Sequence, residues 1–166
     1  MARLRSFLRD RRGTAAVEMA LMLPVVMALL FGGMEGGYYF WSEHRVVKAV
    51  RDGARYAGRQ SFDQYSCSGS SVTTATATQI KNLTRTGTLD ASAAPFIPGW
   101  ADGDTTLTVS ACDTATATGL FASQSTGAIR VRISADVQYR SLFAVLGFDT
   151  STLRLKASEQ AVVMGL

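Results

Sequence analysis

The sequence predicts an α+β, single-pass membrane protein: a long N-terminal transmembrane helix that continues as an amphipathic helix, packed on a small antiparallel sheet. Three observations carry that expectation. From Ala15 to Met34 the only charged residue is Glu18. Apolar residues then recur at helical spacing as far as Ala57. Nearer the C-terminus, residues 128–140 and 152–163 alternate apolar with polar side chains, the pattern of half-buried strands.

Composition and charge locate the parts. Apolar residues make up 47% of the 166 and charged residues 18%. The first thirteen residues hold five of the 17 basic side chains (Arg3, Arg5, Arg9, Arg11, Arg12) and one of the 13 acidic ones, Asp10. Twelve of each sign remain, so the net charge of +4 belongs to residues 1–13. A basic body interleaved with aromatics would point to nucleic acid. A balanced body excludes that partner. The expected organisation is a basic leader at 1–13, a helix at 14–60 crossing the membrane and continuing outside it, and a small α+β extracytoplasmic domain at 61–166.

About 20 residues at about 1.5 Å each span roughly 30 Å, the thickness of a bilayer core. Arginines on the N-terminal flank place that end in the cytoplasm, with the remainder on the periplasmic or extracellular side of the inner membrane. Ordinary signal-peptidase cleavage needs small residues at −3 and −1 after the apolar run. Ala28, Gly32, Gly33, Gly36, Gly37 and Ser42 contain no pair spaced by two. Arg11-Arg12 lacks the apolar residues that normally follow a twin-arginine signal. An uncleaved anchor and a cut at the leader–helix junction remain.

The junction reads Arg11-Arg12-Gly13-Thr14-Ala15-Ala16-Val17-Glu18, followed by Leu23-Pro24, Gly33, Glu35 and the stretch from Val50 to Ala57. This resembles the TadE-like family, minor pseudopilins of the Tad (tight adherence, Flp) pilus system. The likeness is specific over residues 11–58. It implies a pilin-like fold and cleavage by a prepilin peptidase between Gly13 and Thr14, which makes Glu18 the fifth residue of the mature chain. Met19 stands where major Flp pilins carry tyrosine. Thr14 replaces the phenylalanine usual at +1 in other type IV pilins, so N-terminal methylation is not carried over. The implied partners are a prepilin peptidase, a Tad pilus assembly platform, and other pilins and pseudopilins, besides the membrane itself.

Physics gives Glu18 two readings. An ionised carboxylate in lipid is expensive and tends to face a partner; the α-amine created on a neighbouring Thr14 is such a cation. Alternatively, Glu18 snorkels to the cytoplasmic headgroups. Gly32-x-x-x-Gly36 and Gly33-x-x-x-Gly37 allow close helix contact in lipid, or form a flexible exit from it. Pro24 is expected to kink the helix. Tyr38, Tyr39, Phe40 and Trp41 form an aromatic belt at the outer interface; Glu35 near this belt can reach water and is assigned no chemistry.

Beyond the membrane, Tyr39, Val46, Val50, Ala54 and Ala57 form the inward face. Residues 61–71 read as a loop holding Cys67. A second helix over 72–85 directs Val72, Ala75, Gln79, Ile80 and Leu83 to the core, and residues 89–103 are irregular. A short strand at 107–111 leads to Cys112. Ile129, Val131 and Ile133, then Leu153, Leu155 and Ala157, supply the inner faces of two later strands, with a turn or short helix at 142–148 between them. Three or four strands result.

Cys67 and Cys112 are the only cysteines, both beyond the apolar segment. Neither has a C-x-x-C partner and one histidine exists, too few ligands for a tetrahedral metal site. A disulfide in an oxidising compartment is the expectation. Closing a loop of roughly 46 residues is worth about 4 kcal/mol in the chain-entropy view. His44 reads as an exposed helical histidine and Asp102-Gly103-Asp104 as a turn. Asn82-Leu83-Thr84 is a chance sequon. No cofactor, metal or catalytic constellation is indicated, and no enzyme. The leading function is a minor pseudopilin assisting Tad/Flp pilus assembly for surface adhesion. The alternative is a permanently anchored envelope protein whose outer domain binds a ligand or partner.

Overall fold

A computed structural model describes residues 14–113, 119–122, 124–125, 127–147 and 150–165. They divide into two units, one up to Tyr38 and one from Tyr39 onward.

The described part of the first unit is helical and belongs to α1, Thr14–Gly58. Alanine, leucine and methionine favour helix in this stretch. The helix runs unbroken through Pro24. None of its apolar window is buried, with Met19 and Leu21 each 70% exposed. Among the described residues this one helix is long and apolar enough to cross a membrane.

In the second unit α1 turns a continuous face inward: Ser42, Val46, Ala49, Val50, Gly53, Ala54, Ala57 and Gly58 are buried. Their spacing follows the 3.6-residue period, as expected for a helix half sunk in a core. A small ribbon, β1 (Tyr65–Ser66) against β2 (Ser71–Val72), precedes α2, Thr74–Thr86. α2 closes at Gly87 in the left-handed region (φ 78°), whose N–H donates to the Leu83 carbonyl at 2.8 Å.

The main sheet is an antiparallel meander of β3 (Thr105–Asp113), β4 (Ala128–Gln138) and β5 (Arg154–Val162). Its inner face supplies Val109, Ile129, Val131, Ile133, Val137 and Leu155, all buried. The register shifts between Val109 and Ala111, a bulge at the strand's approach to Cys112. Between α2 and β3 the irregular chain contributes Ile97 and Trp100 to the core. Trp100 Nε1 donates to Thr105 Oγ1 at 3.0 Å, so the one polar atom of a buried indole is satisfied.

α1 runs antiparallel to β4. The Tyr39 ring meets Tyr139 at the strand's end, with centroids 5.1 Å apart. Gly53 lies against Ile133 near its middle, and Gly58 against Ala161 and Val162 of β5. Met164 N–H donates to the Gly58 carbonyl at 2.8 Å and ties the chain's end to the end of α1.

Two expectations need correction. The second helix starts at Thr74, since Val72 is taken by the ribbon with Tyr65. Its buried face is Thr76, Ile80, Asn82, Thr84 and Thr86, while Ala75 and Gln79 are exposed and Leu83 is half-buried. Threonine can take these positions because its hydroxyl bonds backward within the helix. Thr84 Oγ1 donates to Ile80 O and Thr86 Oγ1 to Asn82 O, both at 2.8 Å. Leu153 precedes β5 and is exposed, so the inner face of that strand begins at Leu155.

Candidate functional site

The lipid-like end of α1 carries the residues singled out in the sequence. Ala15, Glu18, Met19, Met22, Leu23 and Val26 line one shallow groove on the helix surface. They sit at i, i+3, i+4, i+7, i+8 and i+11, one stripe of a helix. Glu18 is the one carboxylate in that stripe, and it is exposed. A stripe this apolar is unstable against water; lipid or another helix must cover it. Thr14 opens the described helix. Gly13 lies outside the described residues.

Gly32, Gly33, Gly36 and Gly37 follow on the same helix, and a Cβ built on any of them meets nothing within 4 Å. Within the described chain these glycines have no packing role. Any close approach they permit is to something outside it.

Cys67 and Cys112 form a disulfide with Cα atoms 6.0 Å apart. It fastens the turn after β1 to β3 across 45 residues of sequence. Nearby, the Tyr65 hydroxyl donates to Ala57 O at 2.7 Å. Burial pushes that phenol above its ordinary pKa, so it stays a neutral donor to α1 across the accessible pH range.

The remaining candidates resolve into local structure. His44 is exposed on α1. Asp102-Gly103-Asp104 forms a single 3-10 turn in which Asp104 accepts from Ala101 N at 2.8 Å. Asp102 pairs with Arg85 at 2.8 Å. Asn82 is buried and donates to Leu89 O at 3.2 Å, leaving no accessible amide for a glycan. Among the described residues no three His, Cys, Asp or Glu side chains are placed to hold a metal.

One residue that sequence reasoning passed over is Gly53. A Cβ there would strike Thr84 Oγ1 and lie 3.2 Å from Thr84 Cβ. Glycine on α1 and threonine on α2 thus bring the two helices together. The available signal was a lone glycine in Arg51-Asp52-Gly53-Ala54-Arg55, a run otherwise suited to helix.

Residues 13–55 match the family model of TadE-like proteins. The N-terminal part of this chain is TadE-like. The matched segment holds Gly13, Thr14, Glu18, Pro24, the four helix glycines and the aromatic belt, and it reaches Gly53. It stops before both cysteines and the sheet. No curated protein and no solved structure matches the chain. A TadE-like segment supports an association with Tad pilus systems.

Proposed function

We propose that this protein is a minor pseudopilin that takes part in assembling a Tad/Flp-type pilus. The observation that carries the reading is the coincidence of a TadE-like match over residues 13–55 with an exposed apolar stripe containing one carboxylate. The basic leader holds the N-terminus in the cytoplasm and α1 anchors the chain in the inner membrane. A prepilin peptidase cuts between Gly13 and Thr14. The α-amine created on Thr14 then pairs with Glu18 of a neighbouring pilin or pseudopilin at the assembly platform. That pair gains strength as lipid gives way to packed helices, and it fixes their axial stagger. Gly32, Gly33, Gly36 and Gly37 let the outer ends of the helices approach.

Glu18 tests the reading. Cleavage depends on the junction, and removing a charge from an apolar helix eases insertion, by about 2.5–3.5 kcal/mol at the helix centre and by less near its end, where Glu18 lies. Glu18→Ala and Glu18→Gln are therefore expected to leave cleavage and membrane content intact while reducing pilus formation. Glu18→Asp keeps the charge with a shorter reach and retains part of the function. Normal piliation in all three variants would assign Glu18 to the headgroup region. Failure already at cleavage would place it in peptidase recognition.

A further inference from the structure

Backbone polarity at the sheet's far edge points to a second interaction surface. Val163 N–H donates to Ile129 O and Tyr139 N–H to Leu153 O, each at 2.9 Å. These are hydrogen-bonded pairs at the two ends of the β4–β5 ladder, whose register pairs Val131 with Ala161 and Val137 with Leu155. In an antiparallel ladder such pairs alternate. Odd-numbered residues of β5 therefore face β4, and Arg154, Lys156, Ser158 and Gln160 direct their N–H and C=O groups away from it. The Met164 N–H obeys the same alternation and is taken by Gly58 O. No strand pairs with this edge among the described residues.

The flank of α1 beside that edge is basic. Arg55, Gly58 and Arg59 line a groove with Ala161, Val162 and Met164. Arg51, four residues before Arg55, continues the stripe, and all three arginines are exposed. Like charges at i, i+4 and i+8 disfavour a helix. Their described compensation is one loose pair, Arg55 with Asp52 at 3.8 Å. Among the described residues no other ion pair uses the stripe. An open strand edge lying beside a helix that carries a row of largely uncompensated positive charge is the geometry of strand addition with side-chain selection.

We propose that the β5 edge and the Arg51–Arg55–Arg59 stripe receive an extended acidic segment of a partner protein as a fourth strand. Main-chain bonds to Lys156, Ser158 and Gln160 supply affinity. Carboxylates on the strand's inner face meet Arg55 and Arg59 and supply selectivity. Glu159 is half-buried on that inner face and repels a strand whose acid falls opposite it, which fixes register. Arg154 and Lys156 discourage indiscriminate edge pairing, and both already pair with Asp136. A second copy is a poor occupant, because its β5 offers Glu159 as the one acid on the face that meets the stripe.

The test uses the full chain in lipid nanodiscs and a short fluorescent peptide with valine on its outer face and glutamate on its inner face, except for one central threonine that falls opposite Glu159. Binding is expected to weaken roughly tenfold or more in Arg55→Glu/Arg59→Glu, and with lysine in place of glutamate in the peptide. Peptides N-methylated at alternate residues provide a control that leaves the protein untouched. Methylation in the frame that faces β5 abolishes binding and methylation in the other frame does not, because one side of an added strand bonds to the edge. Equal binding by both frames, or by the lysine peptide, overturns the proposal. So does self-association of the chain that the acidic peptide fails to compete away, or binding that polyphosphate replaces regardless of frame.

Discussion

Glycine has opposite meanings in the two halves of α1. In the membrane-like half, a Cβ added at Gly32, Gly33, Gly36 or Gly37 touches nothing. In the packed half, a Cβ at Gly53 collides with Thr84 and one at Gly58 lies 3.0 Å from the Val162 carbonyl. The apolar side chains divide the same way: Met19 and Leu29 are at least 70% exposed, whereas Val46 and Val50 are 1% exposed. One half finds its partners within the chain. The other has an exposed apolar surface with no cover among the described residues and must find its partners outside them. Stability of the outer unit and competence for assembly should therefore respond to different substitutions.

The largest expected effect on stability comes from the disulfide. Cys67→Ser/Cys112→Ser removes a constraint across 45 residues and is expected to lower the unfolding free energy by about 2–5 kcal/mol. Thermal or denaturant unfolding of the oxidised wild type against the double variant measures it. An unchanged midpoint, or two titratable thiols in protein purified without reductant, would refute the constraint.

Gly53→Ala comes next. Thr84 is fully buried and its hydroxyl is committed to Ile80 O, so the new methyl forces a shift and costs about 1–3 kcal/mol. Gly33→Ala is the smallest effect and sharpens the comparison. It leaves the unfolding midpoint of the outer unit unchanged and favours the helix by up to about 1 kcal/mol, yet is expected to reduce pilus formation. If Gly33→Ala destabilises the outer unit as much as Gly53→Ala does, the division between the halves is wrong.

Much of this was legible in the sequence, and the reasons are specific. Ala15 to Met34 is apolar apart from Glu18, so a helix long enough to cross a membrane follows from length alone. Ile129, Val131 and Ile133 are buried while Arg130 and Arg132 are exposed, because alternation on a one-sided sheet leaves no other choice. Val46, Val50, Ala54 and Ala57 fell on the buried face for the equivalent helical reason. The inner face of α2 was not legible. Its core positions are threonines, and hydropathy cannot foresee that Thr84 and Thr86 hide their hydroxyls in i−4 bonds. Nor could it foresee that Gly53 needs a small neighbour there. At the N-terminal site Glu18 was readable as the only charge between Ala15 and Met34. The basic stripe beside β5 was not, because a strand edge exists only once register and strand order are known.

If the N-terminal half of α1 is a processed assembly helix, the chain in the membrane has lost residues 1–13. Intact mass and N-terminal sequencing of the membrane-resident protein, from cells with active prepilin peptidase, test it most directly. The expected result is a mature chain that begins at Thr14, and loss of that species when Gly13 is replaced by a bulky residue. A membrane-resident chain that still begins at Met1 or Ala2 would contradict it and leave a permanent anchor in place of a pseudopilin.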